Sequence, residues 1–175
     1  MPISSTLHLA KRFFVALRPG EPRSEDREWA YSLMTPGEQD LWRQMSGPDK
    51  RHSIQVARDV ETALGRQVER SVLAAALLHD VGKIESNLGT WARVIATLVG
   101  LVINKNRTRS WTDRDGGILR QIGLYYDHPE GGAALLTFAG SDALTIAWAR
   151  EHHLSPHRWS VDRATAMVLK QADND

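Results

Sequence analysis

A chain of 175 residues, 42% hydrophobic and 25% charged, has the size and make-up of one globular domain able to bury a core without covalent staples. Its formal net charge of +1 excludes the strong basic excess of a general nucleic-acid binder. The lack of cysteine excludes disulfides, thiolate metal sites and a cysteine nucleophile, so any metal ligands must be His, Asp or Glu, and a cytoplasmic location is the default.

Helical signals dominate, and no period-two strand pattern stands out. Leu7 to Leu17 reads as a first amphipathic helix rather than a signal peptide, because Lys11 and Arg12 interrupt it and no small-residue cleavage site follows. Glu25 to Leu33 reads as a short helix. Thr35-Pro36-Gly37-Glu38 is a capping box with proline at the first helical position, opening a helix to Ser46 that turns Leu41, Trp42 and Met45 inward. Gly47-Pro48 reads as a break, and the next helix runs from about Asp49 to Leu64. In it His52, Val56 and Val60 share one inward stripe.

Val68 to Asp80 reads as the central helix. Leu73 to Leu78 is apolar on every side, the mark of a buried helix. His79 and Asp80 follow in its last turn, with Gly82 as the expected stop. A buried carboxylate beside an imidazole is costly unless both are paired or bound to a metal, so this helix looks like the floor of a metal site.

Thr90 can cap a further apolar helix, Trp91 to Ile103, which is too short to span a membrane and could support a homodimer or touch lipid. Asn104 to Gly117 reads as a polar loop with a helix beginning near Asp113. Ile118 to Tyr126 is then helical, and His128-Pro129-Glu130-Gly131 opens a separate helix to Phe138 with Pro129 at its first position. After a break at Gly140-Ser141-Asp142, Leu144 to Leu154 carries Glu151-His152-His153, and Ser160 caps a last helix through Met167 and Leu169 to Asp173. About nine helices make an all-α, single-domain helical bundle. Residues 1–48 are expected to form a helical extension and residues 49–175 the core that would carry a metal site.

Taken singly, these residues have plainer readings. His79-Asp80 could be a polar core pair, His128 a helix-start residue, His152-His153 cations at a helix end, and Lys83 a partner of the helix dipole. Taken together they are a donor set suited to first-row transition metals between facing helices. Neighbours on a helix point about 100° apart, so His79 and Asp80 either serve one metal with Asp80 leaning inward or share two with Asp80 as the bridge.

The order His52, His79-Asp80-Val81-Gly82-Lys83, His128-Pro129-Glu130-Gly131-Gly132, His152-His153 and Ala172-Asp173 resembles the HD-domain metal-dependent phosphohydrolases. The fullest likeness is to the extended-histidine subgroup that includes HD-GYP-type cyclic-dinucleotide phosphodiesterases. The resemblance implies a bundle of HD-domain type. It also implies one metal held by His52, His79, Asp80 and Asp173, and a second held by His128, His152 and His153 with Asp80 as bridge. Asp175 could stand in for Asp173, but the helical phase from Met167 favours Asp173. The Gly-Tyr-Pro signature is absent: Leu154-Ser155-Pro156-His157-Arg158-Trp159 follows His153.

The expected activity is hydrolysis of a phosphoester, in a nucleotide or cyclic dinucleotide, by a metal-activated water. Iron or manganese come first among the metals, with zinc, cobalt or nickel as further candidates. Asp80 and Lys83 are the catalytic candidates, and Lys83, Arg107, Arg109 and Arg114 the cations for an anionic substrate. The alternatives are a di-iron oxygenase of the same fold and a regulatory module that binds metal or nucleotide with little turnover.

Overall fold

In a computed structural model the described residues are 20–65, 68–86, 111–112 and 115–174. Their elements are α1 (Ser24–Ser32), α2 (Pro36–Gln44), α3 (Gly47–Leu64), α4 (Arg70–Leu78), α5 (Lys83–Ser86), α6 (Gly117–Phe138), α7 (Ala143–Glu151), a 3-10 turn (Pro156–Arg158) and α8 (Arg163–Asn174). The fold is all-α, and no strand occurs among the described residues. The expected helices Leu7 to Leu17 and Trp91 to Ile103 lie outside the described residues, as do Arg107, Arg109 and Arg114.

α4 is the centre of the bundle. Every residue from Val72 to Leu78 is buried, which suits a segment with no polar side chain to solvate. α3 and α7 pack against it, α8 packs on α3, and α6 lies across both α5 and α7. Ala30, Met34 and Trp42 from α1, α2 and their link join Val56, Val60, Leu77, Leu136, Trp148 and Leu169 in one core. The capping box forms as expected: Thr35 Oγ1 accepts from the Glu38 N–H at 3.3 Å, and Glu38 Oε2 accepts from the Thr35 N–H at 2.8 Å. Trp42 is fully buried and donates its indole N–H to Ser53 Oγ at 3.1 Å, fixing α2 on α3.

Several sequence expectations are corrected. Gly47-Pro48 begins α3 instead of breaking the chain. Ser46 is the cap, accepting from the Asp49 N–H, and proline is tolerated in a first turn whose N–H groups have no helical partner. α4 stops at Leu78, short of Asp80, because the chain tightens: the Val81 N–H bonds Leu78 O and the Lys83 N–H bonds Asp80 O. α7 likewise stops at Glu151, leaving His152 as its cap residue and His153 in the turn beyond. Ser160 does not cap α8; its N–H and hydroxyl both bond the Glu151 carboxylate at 2.6 Å, while Asp162 Oδ2 takes the Thr165 N–H at 3.0 Å.

The largest correction concerns Pro129. α6 is one continuous helix from Gly117 to Phe138 with Pro129 inside it, not two helices with proline at a start. Gly82, expected as a helix stop, has a different duty. Its backbone lies so close to α6 that an added Cβ would sit 2.0 Å from His128 O and 2.6 Å from Gly132 N. Only glycine permits that approach.

Candidate metal centre

The buried floor of α4 delivers His79 and Asp80 into the middle of the bundle, where they are 1% and 5% exposed. His52 reaches in from α3, His128 from mid-α6, His152 and His153 from the end of α7, and Asp173 from the last turn of α8. The seven expected ligands are thus brought together although they span most of the chain. Asp80, His128, His152 and His153 each offer a ligand atom within 4.8 Å of one another, and His52, His79 and Asp80 form a second such group. Asp80 belongs to both.

The distances show how the groups meet. Asp80 Oδ1 lies 3.3 Å from His128 Nε2 and 3.7 Å from His152 Nε2, while Asp80 Oδ2 lies 3.4 Å from His79 Nε2. Asp173 Oδ1 stands 3.2 Å from His52 Nε2 and 3.3 Å from His79 Nε2. The His79 and His152 rings meet edge to face with centroids 5.2 Å apart, and the His152 and His153 rings are 4.0 Å apart.

Three imidazoles are held by the same device. His79 Nδ1 faces Ala76 O at 2.9 Å, His128 Nδ1 faces Tyr125 O at 2.6 Å, and His152 Nδ1 faces Ala149 O at 2.9 Å. A carbonyl can only accept, so each Nδ1 donates and each Nε2 is left with its lone pair when the ring is neutral. Those three Nε2 atoms are buried and lack a hydrogen-bond partner. Buried polar atoms without partners are uncommon, and three converging on one carboxylate fit a cation. Residue type agrees, since imidazole and carboxylate oxygen suit first-row transition metals. A buried His/Asp group that could hold a metal ion is therefore present.

Electrostatics describe the metal-free centre. Burial works against charging His79, but the carboxylates of Asp80 and Asp173 outweigh it and push its pKa up to about 10. Burial also works against ionising Asp80, yet the charges of Lys83 and His79 hold it well below the usual carboxylate range. Asp173 is half-buried; its partial burial works against ionisation, but His52 and His79 keep it ionised. Burial, then the neighbouring imidazoles, hold His153 below its ordinary value, and burial lowers His152. Without metal, the two carboxylates thus face one imidazolium, the Lys83 ammonium, which bonds directly to Asp80 Oδ2, and the Lys170 ammonium, 3.3 Å from Asp173 Oδ2. These are the positive charges that a bound cation would replace.

Lys83 accordingly belongs to the cluster. His157 is exposed on the 3-10 turn. Sequence reasoning missed the backbone carbonyls of Ala76, Tyr125 and Ala149. It also missed Glu151, whose buried carboxylate ties Ser160 while its carbonyl accepts from Trp159 Nε1 at 3.1 Å, folding the chain back behind His152 and His153. The spacing of three between each histidine and its carbonyl was the one signal available. No protein-family model, curated protein or solved structure matches the chain.

Proposed function

We propose that this chain is a metal-dependent phosphohydrolase of HD-domain type, acting on a phosphoester of a nucleotide or cyclic dinucleotide. The observation that carries the reading is the set of three buried, unpartnered Nε2 atoms arranged around a carboxylate that belongs to two ligand groups. His52, His79, Asp80 and Asp173 would hold one ion, and Asp80, His128, His152 and His153 a second. Divalent ions in such a pair polarise a phosphoryl oxygen and lower the pKa of water, so that hydroxide is available near neutral pH.

The chain's own residues do the rest. Anchored Nδ1–H groups fix the rings so that Nε2 needs no rearrangement to donate. Asp80 supplies one oxygen to each side of the cluster. Lys83, bonded to Asp80 Oδ2 with its side chain 18% exposed, is free to turn its ammonium to a substrate phosphate once cations neutralise Asp80. The apolar floor from Leu73 to Leu78 closes the inner side to bulk water.

The test is elemental analysis of purified protein beside a panel of phosphomonoesters, nucleotides and cyclic dinucleotides, assayed with and without dioxygen. Metal near two ions per chain with oxygen-independent release of phosphate or nucleotide is expected. Turnover that requires dioxygen would replace this reading with the di-iron oxygenase. Tight nucleotide binding without product would replace it with the regulatory module.

A further inference from the structure

α6 passes through Pro129 without ending, although a proline inside a helix costs stability. Proline has no N–H and its ring presses on the carbonyl four residues back, which here is Tyr125 O. That carbonyl is the one that accepts from His128 Nδ1 at 2.6 Å. His79 and His152 obtain their anchoring carbonyls, Ala76 O and Ala149 O, in another way. Both lie in the last turn of α4 and α7, where helical carbonyls run out of N–H partners. His128 sits mid-helix, where a carbonyl ordinarily has a backbone N–H partner to share with any side chain unless something removes it.

We propose that Pro129 is a positioning residue for His128. By withholding an N–H from the Tyr125 carbonyl it leaves that oxygen to the imidazole Nδ1, and so directs the Nε2 lone pair at Asp80, 3.3 Å away. The link to metal affinity rests on the proposed metal reading; the link between Pro129 and the His128 proton does not. A proline that merely shaped the helix would leave the proton on His128 indifferent to its removal.

The experiment uses Pro129→Ala in the full chain, with imidazole-nitrogen NMR of metal-free protein at about pH 8.5, where ordinary imidazoles are neutral. His128 is identified by comparison with His128→Gln. Wild-type His128 is expected to carry its proton on Nδ1. In Pro129→Ala the new backbone N–H takes Tyr125 O, and the population shifts toward the Nε2–H tautomer. Zinc affinity of the group containing His128 should fall about 10-fold, the scale usual for loss of a ligand's hydrogen-bond partner. Thermal stability of the metal-free variant should hold or rise, because the helix regains a hydrogen bond. Opposite signs for stability and affinity are what a purely structural proline would not produce.

An unchanged Nδ1–H tautomer with unchanged zinc affinity would overturn the proposal. So would a wild-type His128 protonated on Nε2, which can be read even if the variant does not fold. If wild-type protein takes up no zinc yet the tautomer still shifts, the metal reading fails while the dependence of His128 on Pro129 stands.

Discussion

The backbone of Gly82 rests against the carbonyl of His128, near enough that a methyl group on residue 82 would lie 2.0 Å from that oxygen. This contact sets how near the turn carrying Asp80 can come to the helix carrying His128. Gly82→Ala must push the two apart. The expected cost is about 1–3 kcal/mol, the usual range for overpacking a tight site, read by denaturant unfolding. Metal held through His128 should be lost more readily than metal held through His52, and elemental analysis of the variant would show it. An unchanged metal content would mean that α6 and the turn can separate without disturbing the ligands.

Asp80 is the one residue common to both ligand groups. Asp80→Ala is expected to remove all bound metal and all turnover. It also leaves the Lys83 ammonium without its carboxylate, a loss that typically costs about 3 kcal/mol when the partner is buried. His128→Ala should instead remove about half of the metal, since the group of His52, His79 and Asp80 keeps its donors. Equal stoichiometry in His128→Ala and wild type would refute a centre with two ions.

The metal-free protein should be most stable near pH 6.5. His79 is raised to about 10, so its contribution is complete below its ordinary value of 6.5 and is lost as pH climbs through 10. His152 and His153 are lowered, so they cost nothing above 6.5 and oppose folding as pH falls below it. Asp80 and Asp173, held below the carboxylate range, add a further loss at still lower pH as they are forced to protonate. Loading metal displaces the His79 proton, which should flatten the alkaline side of this profile. Thermal unfolding across pH, with and without added zinc, measures both limbs. An alkaline limb identical in the two states would show that His79 does not bind.

A distant control separates general destabilisation from damage to the centre. Thr35→Ala removes the cap of α2 and should cost about 1 kcal/mol without altering metal content. If metal were lost in step with stability here too, the effects of Gly82→Ala could not be ascribed to the turn.

Much of this architecture was legible in residue spacing. Val56 and Val60 mark an inward stripe that His52 shares, and six apolar residues before His79 can only be a floor. What spacing could not show was set by contacts between distant segments. Pro129 at a helix start and Pro129 within a helix look alike locally; they differ in whether Tyr125 O finds another donor, and that donor is a side chain. Gly82 reads as a terminator because glycine often ends helices, but its φ is not positive and its purpose is to admit α6. Ser160 resembles a cap until Glu151, nine residues earlier, claims both of its donors. Arg107, Arg109 and Arg114 fall outside the described residues, so the cations proposed for substrate rest on Lys83.

His52 and Asp173 meet across 121 residues of chain. With no cysteine in the sequence, a cation seated between them would be the strongest tie joining its distant parts, closing a loop whose freedom is costly to remove by other means. Starving a cell of that ion would then deplete the folded protein itself, and abundance, before any assay of catalysis, would report on supply.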